Sequence, residues 1–341
     1  MKALVVNTVG KYQLEDVDIP CPGSGEVLVQ VEFAAQNPAD WPDLGESGRY
    51  VGERVAGMVH GGISPMFYFS TISTHTLSLP KGAARNGAFA EFLIAQAELL
   101  FHLPDEVSLE DGAQIAVAAM SACLGLYQTL KLPTPYDPPT ESPTAIVVWS
   151  GATAVGRYVI QLAKLAGMRV FVTASPKQYD MLRRLGANDL FDYSDSFTGR
   201  DIFEASGGTL KYAVDCWSEG ITPYQASSAL SKDGGHIATV LPYLSRKKNV
   251  ETTLISAYAV YGKDIVFPFP STADLVSAAN GKTYAKLISK LLAEGKLQLG
   301  PVKLFPNGLS GVVKGMEYSR LGKVHGEKIV YRIADTPGLR G

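Results

Sequence analysis

The sequence predicts an α/β protein in which a doubly wound parallel sheet interrupts a β-rich domain. Three observations carry that expectation. Before Leu109 the chain reads as short β-rich runs separated by Pro and Gly. Between 145 and 240, apolar runs alternate strictly with helical stretches. After a last helical segment at 284–296 the tail is again β-rich, so the two ends read as one domain interrupted by another.

Taken in order, KALVV (2–6), YQLEDVDIP (12–20) and EVLVQVEFAA (26–35) have the composition of strands. SLEDGAQIAVAAMSACLGLYQTL (108–130) then reads as one helix, with Ser108 as N-cap and acids in its first turn. The proline-rich LPTPYDPPTESPT (132–144) reads as a surface loop. AIVVW (145–149), MRVFVTA (168–174), NDLFDYS (188–194), LKYAVDCW (210–217) and GGHIATV (234–240) are the expected strands of the sheet. VGRYVIQLAKLAG (155–167) and KQYDMLRRLGA (177–187) are helices between them, and YAKLISKLLAEGK (284–296) is the late helix.

Composition excludes several function classes. A net charge of -2 over 341 residues, with Lys and Arg scattered, leaves no electrostatic footprint for nucleic acid. The start MKALVVNTVG lacks the apolar core of a signal peptide, and no run is long enough to span a bilayer, which points to a cytosolic location. Cys21, Cys123 and Cys216 are odd in number and lack a C-x-x-C pair, and the five histidines form no metal motif. No zinc is expected.

The stretch VVWSGATAVGRYVIQLAKLAG (147–167) carries the chemistry. In a strand-turn-helix unit, Gly151, Ala152, Thr153, Ala154 and Val155 let backbone amides approach a pyrophosphate at a helix amino terminus, and Gly156 allows close helix-to-strand packing. The alternative is an ordinary strand-turn-helix corner. The next strand ends in TASPKQY (173–179), where an NAD enzyme usually places an acid. Ser175 and Lys177 stand there instead and suit a 2′-phosphate, which favours NADPH; the alternative for Lys177 is a solvated lysine at a helix start.

QNPADW (36–41), GERVAGMVHGG (52–62), NGAFAEFLIA (86–95), SGATAVG (150–156), SPKQYDMLRRLGANDLFDY (175–193), VDCW (214–217), DGGHIATV (233–240), VYGKDIVFPFP (260–270) and LGKVHGEKIVYRI (321–333) are a specific ordered set. Together they resemble zinc-free medium-chain dehydrogenase/reductases, and within them the fungal trans-acting enoyl reductases that serve polyketide synthases. The resemblance implies a GroES-like catalytic domain at 1–117, a Rossmann NADPH-binding domain at 118–266, and a return segment at 267–341 completing the first. It implies a monomer or homodimer that meets a polyketide synthase and its carrier-bound enoyl intermediate. It also implies that Tyr193 packs near the adenine ribose, that Ser121 lies near the nicotinamide, and that Leu241, Tyr261 and Gly262 surround its carboxamide. Tyr193 and Tyr261 could equally be half-buried aromatics, and Ser121 a helical hydroxyl bonded to its own turn.

The chemistry implied is conjugate reduction of an α,β-unsaturated thioester, with the reacting carbons held at roughly 3 to 3.5 Å and a donor at the thioester oxygen. Asn37 and Asp40 are polar groups near the expected cleft, and no residue stands out as the proton donor. At the site where zinc-dependent relatives carry a ligand, QNPADW has no cysteine. The chain departs from the family in two places: Pro42 replaces a long side chain, and Tyr50 runs almost directly into VGERV, so most of a strand-bearing insert is absent. The apolar segment 63–85 is expected to be a mobile surface insertion, leaving an incompletely walled nicotinamide pocket with weak turnover. The alternative is a substitute strand that buries Phe67 and Phe69 and sets Ile72 opposite. A quinone or small-enone reductase, or an NADPH-binding protein with impaired catalysis, are the other functional readings.

Overall fold

The computed structural model describes residues 1–8, 11–37, 53–59, 87–138, 144–265 and 270–339. Asp40, Pro42, Tyr50, Phe67, Phe69, Ile72 and the whole segment 63–85 lie outside the described residues. The chain divides into two compact units, Met1–Val117 with Tyr258–Gly341, and Ala118–Ala257 between them. The inserted unit thus ends at Ala257 rather than at 266, and Tyr258–Ile265 join the flanking unit.

In the flanking unit β1 (Lys2–Thr8) and β2 (Lys11–Asp16) pair antiparallel, with Lys2 opposite Asp16 and an ion pair between their side chains. β3 (Glu26–Gln30) and β4 (Phe33–Ala35) follow, then β5 (Val55–Ala56), β6 (Phe92–Gln96) and β7 (Phe101–His102). β3 pairs with β6 and β5 with β7, both antiparallel.

Ser108 caps the next helix as expected, its hydroxyl accepting from Asp111 N–H at 3.0 Å. That helix is not continuous. α1 (Leu109–Gly112) stops after one turn, α2 (Ala116–Cys123) restarts, and Leu124–Thr129 wind as a π-helical turn. The break falls where a Cβ on Gly112 would lie 2.4 Å from Leu103, so the chain there presses against β7's neighbour instead of facing solvent.

The inserted unit alternates β8 (Ala145–Trp149), α3 (Ala154–Leu165), β9 (Arg169–Ala174), α4 (Tyr179–Leu185), β10 (Asp189–Asp192), α5 (Thr198–Ala205), β11 (Tyr212–Asp215), α6 (Thr222–Ala229), β12 (Gly235–Thr239) and β13 (Val250–Leu254). All six strands are parallel, in the order β10-β9-β8-β11-β12-β13. This is the third-second-first-fourth-fifth-sixth order of dinucleotide-binding sheets, with its switch point between β8 and β11. Ile146, Val147, Val148 and Trp149 are all 0% exposed, as expected for a central parallel strand covered on both faces. β13 is a sixth strand that the apolar pattern does not reveal, because only Val250 of VETTL is buried.

After Ala257 come α7 (Leu275–Ala293), β14 (Val302–Phe305), α8 (Gly308–Arg320) and β15 (Lys328–Arg332). β15 lies between β14 and β4, parallel to the first and antiparallel to the second, so the carboxy-terminal segment completes a sheet begun near the amino terminus. One core joins Leu4, Phe89, Leu93, Leu309, Met316 and Tyr331. The glycines of α8 explain why its sequence does not read as a helix: a Cβ on Gly315 would lie 1.8 Å from the Tyr331 hydroxyl, so the helix backbone itself packs on β15. α7 starts well before 284, since Asp274 caps it by accepting from Val276 and Ser277 N–H at 2.9 and 3.1 Å.

Candidate cofactor site

Gly151 to Gly156 form the turn from β8 into α3. Ser150 takes the left-handed conformation (φ 60°) and its N–H donates to Thr173 Oγ1, while Gly151 N–H donates to Thr173 O, each at 2.9 Å. Thr153 caps α3, its hydroxyl oxygen accepting from Gly156 N–H at 3.1 Å. A Cβ on Gly156 would lie 2.7 Å from Gly151 Cα and 2.8 Å from the carbonyl oxygens of Ser150 and Gly151. Backbone cannot yield there, so only glycine closes this turn. Ala152, Ala154 and Val155 N–H have no acceptor among the described residues, and the first turn of α3 holds no acid. An anion at that helix end would meet unpaired donors and a favourable dipole.

The sheet register brings Ser175, Tyr193 and Leu241 to the same edge. Ser150 and Gly151 are bonded to Thr173, two residues before Ser175. Ala174 of β9 pairs with Asp192 of β10, so Ser175 and Tyr193 leave neighbouring strands side by side. Ser175 opens a 3-10 turn at Pro176–Gln178 without using its hydroxyl as a cap; Lys177 is exposed and Tyr193 is 50% exposed. Asp192 is the nearby acid, but it ends β10, not β9, and its Oδ1 accepts from Ser194 N–H and Oγ at 2.9 and 2.8 Å. Leu241 follows β12 on the same edge and is half-buried.

The other expected residues lie elsewhere. Ser121 is buried in α2 of the inserted unit, just before the π-helical turn. Asn37, Tyr261 and Gly262 belong to the flanking unit. Asn37 Oδ1 accepts from Lys328 Nζ at 2.5 Å, and the Tyr261 hydroxyl donates to Met58 O at 2.5 Å, so that ring ties two segments of its own unit together. Gly262 has φ 62° and donates its N–H to Ala259 O.

Sequence reasoning missed the polar group at the centre of the edge. Asp215, at the end of β11, is 0% exposed. Its Oδ1 accepts from Trp217 and Ser218 N–H at 3.1 and 2.8 Å, and its Oδ2 lies 3.0 Å from the Tyr243 hydroxyl and 3.1 Å from that of Thr222. Burial raises its pKa, and the hydrogen bonds from Ser218, Trp217, Tyr243 and Thr222 oppose that shift. Burial also pushes the neighbouring Cys216 thiol up, as does the Asp215 charge, so Cys216 stays a neutral thiol. The signal was present in VDCW: an acid that ends an otherwise apolar central strand must find donors.

Among the described residues no group of three or more His, Cys, Asp or Glu side chains could hold a metal ion, and no helix is long and apolar enough to cross a membrane. A family described as zinc-binding dehydrogenase matches residues 154–258. The chain is 31% identical to trans-enoyl reductase buaC of Petromyces alliaceus, over 96% of each chain, and 30% identical to trans-enoyl reductase traG of Penicillium crustosum, over 97% of this chain and 96% of that one. Among solved structures it resembles the CurK enoyl reductase, with TM-score 0.70 at 16% identity over 97% and 98% of the two chains. An alcohol dehydrogenase superfamily protein from Novosphingobium aromaticivorans has TM-score 0.68 at 20% identity, over 97% and 99%. At those identities the structures speak for the fold.

Proposed function

Because the chain belongs to the trans-enoyl reductases, we propose that it is an NADPH-dependent oxidoreductase that works in trans with a polyketide synthase and reduces an α,β-unsaturated thioester on the synthase's carrier. The observation that carries the cofactor part is the turn Gly151–Gly156, with its free amides and obligatory glycine at the carboxyl edge of a sheet of dinucleotide-binding order.

The amides of Ala152, Ala154 and Val155 would hold the pyrophosphate against the positive end of α3. Ser175 and Lys177 would take the adenosine 2′-phosphate, and Tyr193 would cover the adenine ribose. The pairing of Asp192 with Ser194 supports this choice, since that acid is committed to its own turn. When bound, the nicotinamide supplies the hydride for the β-carbon of the enoyl group. The thioester oxygen gains negative charge as the bond forms, and a donor placed there before reaction lowers the barrier without reorganisation. Ser121 and Asn37 are the candidates for that contact. Leu241, Tyr261 and Gly262 would bound the carboxamide side.

The test is NADPH oxidation by the purified protein, with an enoyl thioester on a carrier domain, the same enoyl group as a free thioester, and a small quinone or enone. Faster turnover of the carrier-bound substrate is expected. Quinone turnover without thioester turnover would replace this reading with a free-substrate reductase, and NADPH binding without any turnover would leave a cofactor-binding protein.

A further inference from the structure

Asp215 is costly to bury and is not needed to close β11, yet its carboxylate reaches two separate segments beyond that strand. Through Oδ1 it holds the turn after β11, where Ser218 is kept at φ 63°, a conformation that disfavours a side chain. Through Oδ2 it holds Tyr243, in the loop after β12. Between those ties runs 240–243. Val240 N–H lies 3.2 Å from Asp215 O and 3.1 Å from Ser218 Oγ, and Tyr243 O accepts from Thr252 Oγ1 at 2.8 Å. Leu241 is therefore anchored on both sides, and both anchors lead back to one aspartate.

A simpler role, capping α6, does not account for this arrangement. Thr222 is the only residue of α6 that meets the carboxylate, and its hydroxyl also lies 3.0 Å from Glu219 O. The Tyr243 hydroxyl serves no helix end. What the cluster fixes is the shape of the sheet's carboxyl edge across the switch point, where Cys216 N–H also donates to Trp149 O at 3.1 Å, next to the pyrophosphate turn.

We propose that Asp215 is a positioning residue for the nicotinamide half of the cofactor: through Ser218 and Tyr243 it sets the backbone at Leu241 before the dinucleotide arrives. The inference rests on the cofactor reading above and deepens it. Preorganisation of this kind contributes affinity because the segment loses no freedom on binding.

The experiment titrates full-length wild type, Tyr243→Phe and Asp215→Asn with NADPH and with 2′-phospho-ADP-ribose, which carries the adenine half and lacks the nicotinamide. A melting curve is recorded for each variant. Tyr243→Phe removes one hydroxyl donated to a carboxylate, so its NADPH Kd should rise about tenfold, with KM for NADPH following. The fragment's Kd should stay near wild type, and the melting temperature should fall by only a few degrees, as the loss of one donor to a buried carboxylate requires. Asp215→Asn should move the same way and further; if it does not fold, Tyr243→Phe decides alone. Equal weakening of both ligands, or no change in NADPH affinity for Tyr243→Phe, would overturn the proposal. Wild-type protein that binds neither ligand would remove the cofactor reading itself, a distinct result.

Discussion

In the inserted unit each strand of the order β10-β9-β8-β11-β12-β13 meets its neighbours through parallel pairing built from successive strand-helix steps, whereas in the flanking unit Leu4, Phe89 and Tyr331 reach one core from three distant segments. At the carboxyl edge of the inserted unit's sheet the loops share a few donors and acceptors: Thr173, Thr153 and Asp215. The flanking unit is held at its centre, where Phe89 and Tyr331 stack edge to face with centroids 5.6 Å apart and the Tyr331 hydroxyl donates to Gln36 at 2.6 Å. The turn for the pyrophosphate can therefore form within one unit, while the core of the flanking unit draws on both halves of its chain.

The largest expected effect breaks the second half of that comparison. Phe89 is 1% exposed and touches a residue of the return segment, so Phe89→Ala should cost about 3 to 5 kcal/mol of stability by denaturant unfolding. A loss comparable to a surface substitution would mean that the two chain ends do not share a core. Next comes the edge of the inserted sheet. Lys177→Glu places an anion where the 2′-phosphate is expected, and should weaken NADPH by roughly tenfold or more, a hydrogen bond to a charged group being the interaction lost. NADH affinity and thermal stability should hold, because Lys177 is exposed. Parallel titrations decide, and equal effects on the two cofactors would take Lys177 out of the phosphate site.

The same contrast explains which parts were legible in the sequence. The four inner strands of the sheet were readable because parallel strands buried on both faces are continuous apolar runs, as in Ala145–Trp149 and Arg169–Ala174, and the edge strand β10 was readable from its place in the strand-helix alternation. β13 was not, since an edge strand with one buried residue carries no such run. In the flanking unit α8 was hidden by the glycines that let it approach Tyr331, and the helix expected from Ser108 stops after Gly112, where the backbone packs closely on Leu103. Those are tertiary constraints, and local pattern does not encode them. At the site, Gly151 to Gly156, Ser175, Lys177 and Tyr193 followed from spacing and resemblance, and the register of β9 with β10 brings the last three to one edge. Asp215 was missed because a single acid after an apolar run has many ordinary explanations; its donors come from Ser218, Thr222 and Tyr243, which only the fold assembles.

The smallest expected effect compares two helix starts. α3 in the inserted unit is capped by the neutral hydroxyl of Thr153 and has no acid in its first turn, so its positive end stays available for a phosphate. α7 in the flanking unit is capped by Asp274, which neutralises its own helix end by accepting from Val276 and Ser277 N–H, with the Ser277 hydroxyl at 2.5 Å from its other oxygen. The Ser277 hydroxyl and N–H, then the Val276 N–H, hold the Asp274 carboxyl below the usual aspartate range. A lowered folded pKa means that the unfolded chain takes up the proton first as pH falls. The stabilisation is therefore present above the ordinary aspartate pKa and is lost as pH falls through the lower folded value. Asp274→Ala should cost about 0.5 to 2 kcal/mol near neutral pH, and its deficit against wild type should close in acid. Asp274→Asn keeps an acceptor but not the charge, so its deficit at neutral pH should be smaller, and it should shrink to nothing or reverse in acid, because the wild-type carboxylate titrates and the asparagine cap does not. Unfolding curves of the three proteins from neutral pH to below the aspartate range decide between these outcomes; an Asp274→Ala deficit that does not shrink in acid would show that this cap acts through geometry alone, and the contrast with α3 would then lose its electrostatic meaning.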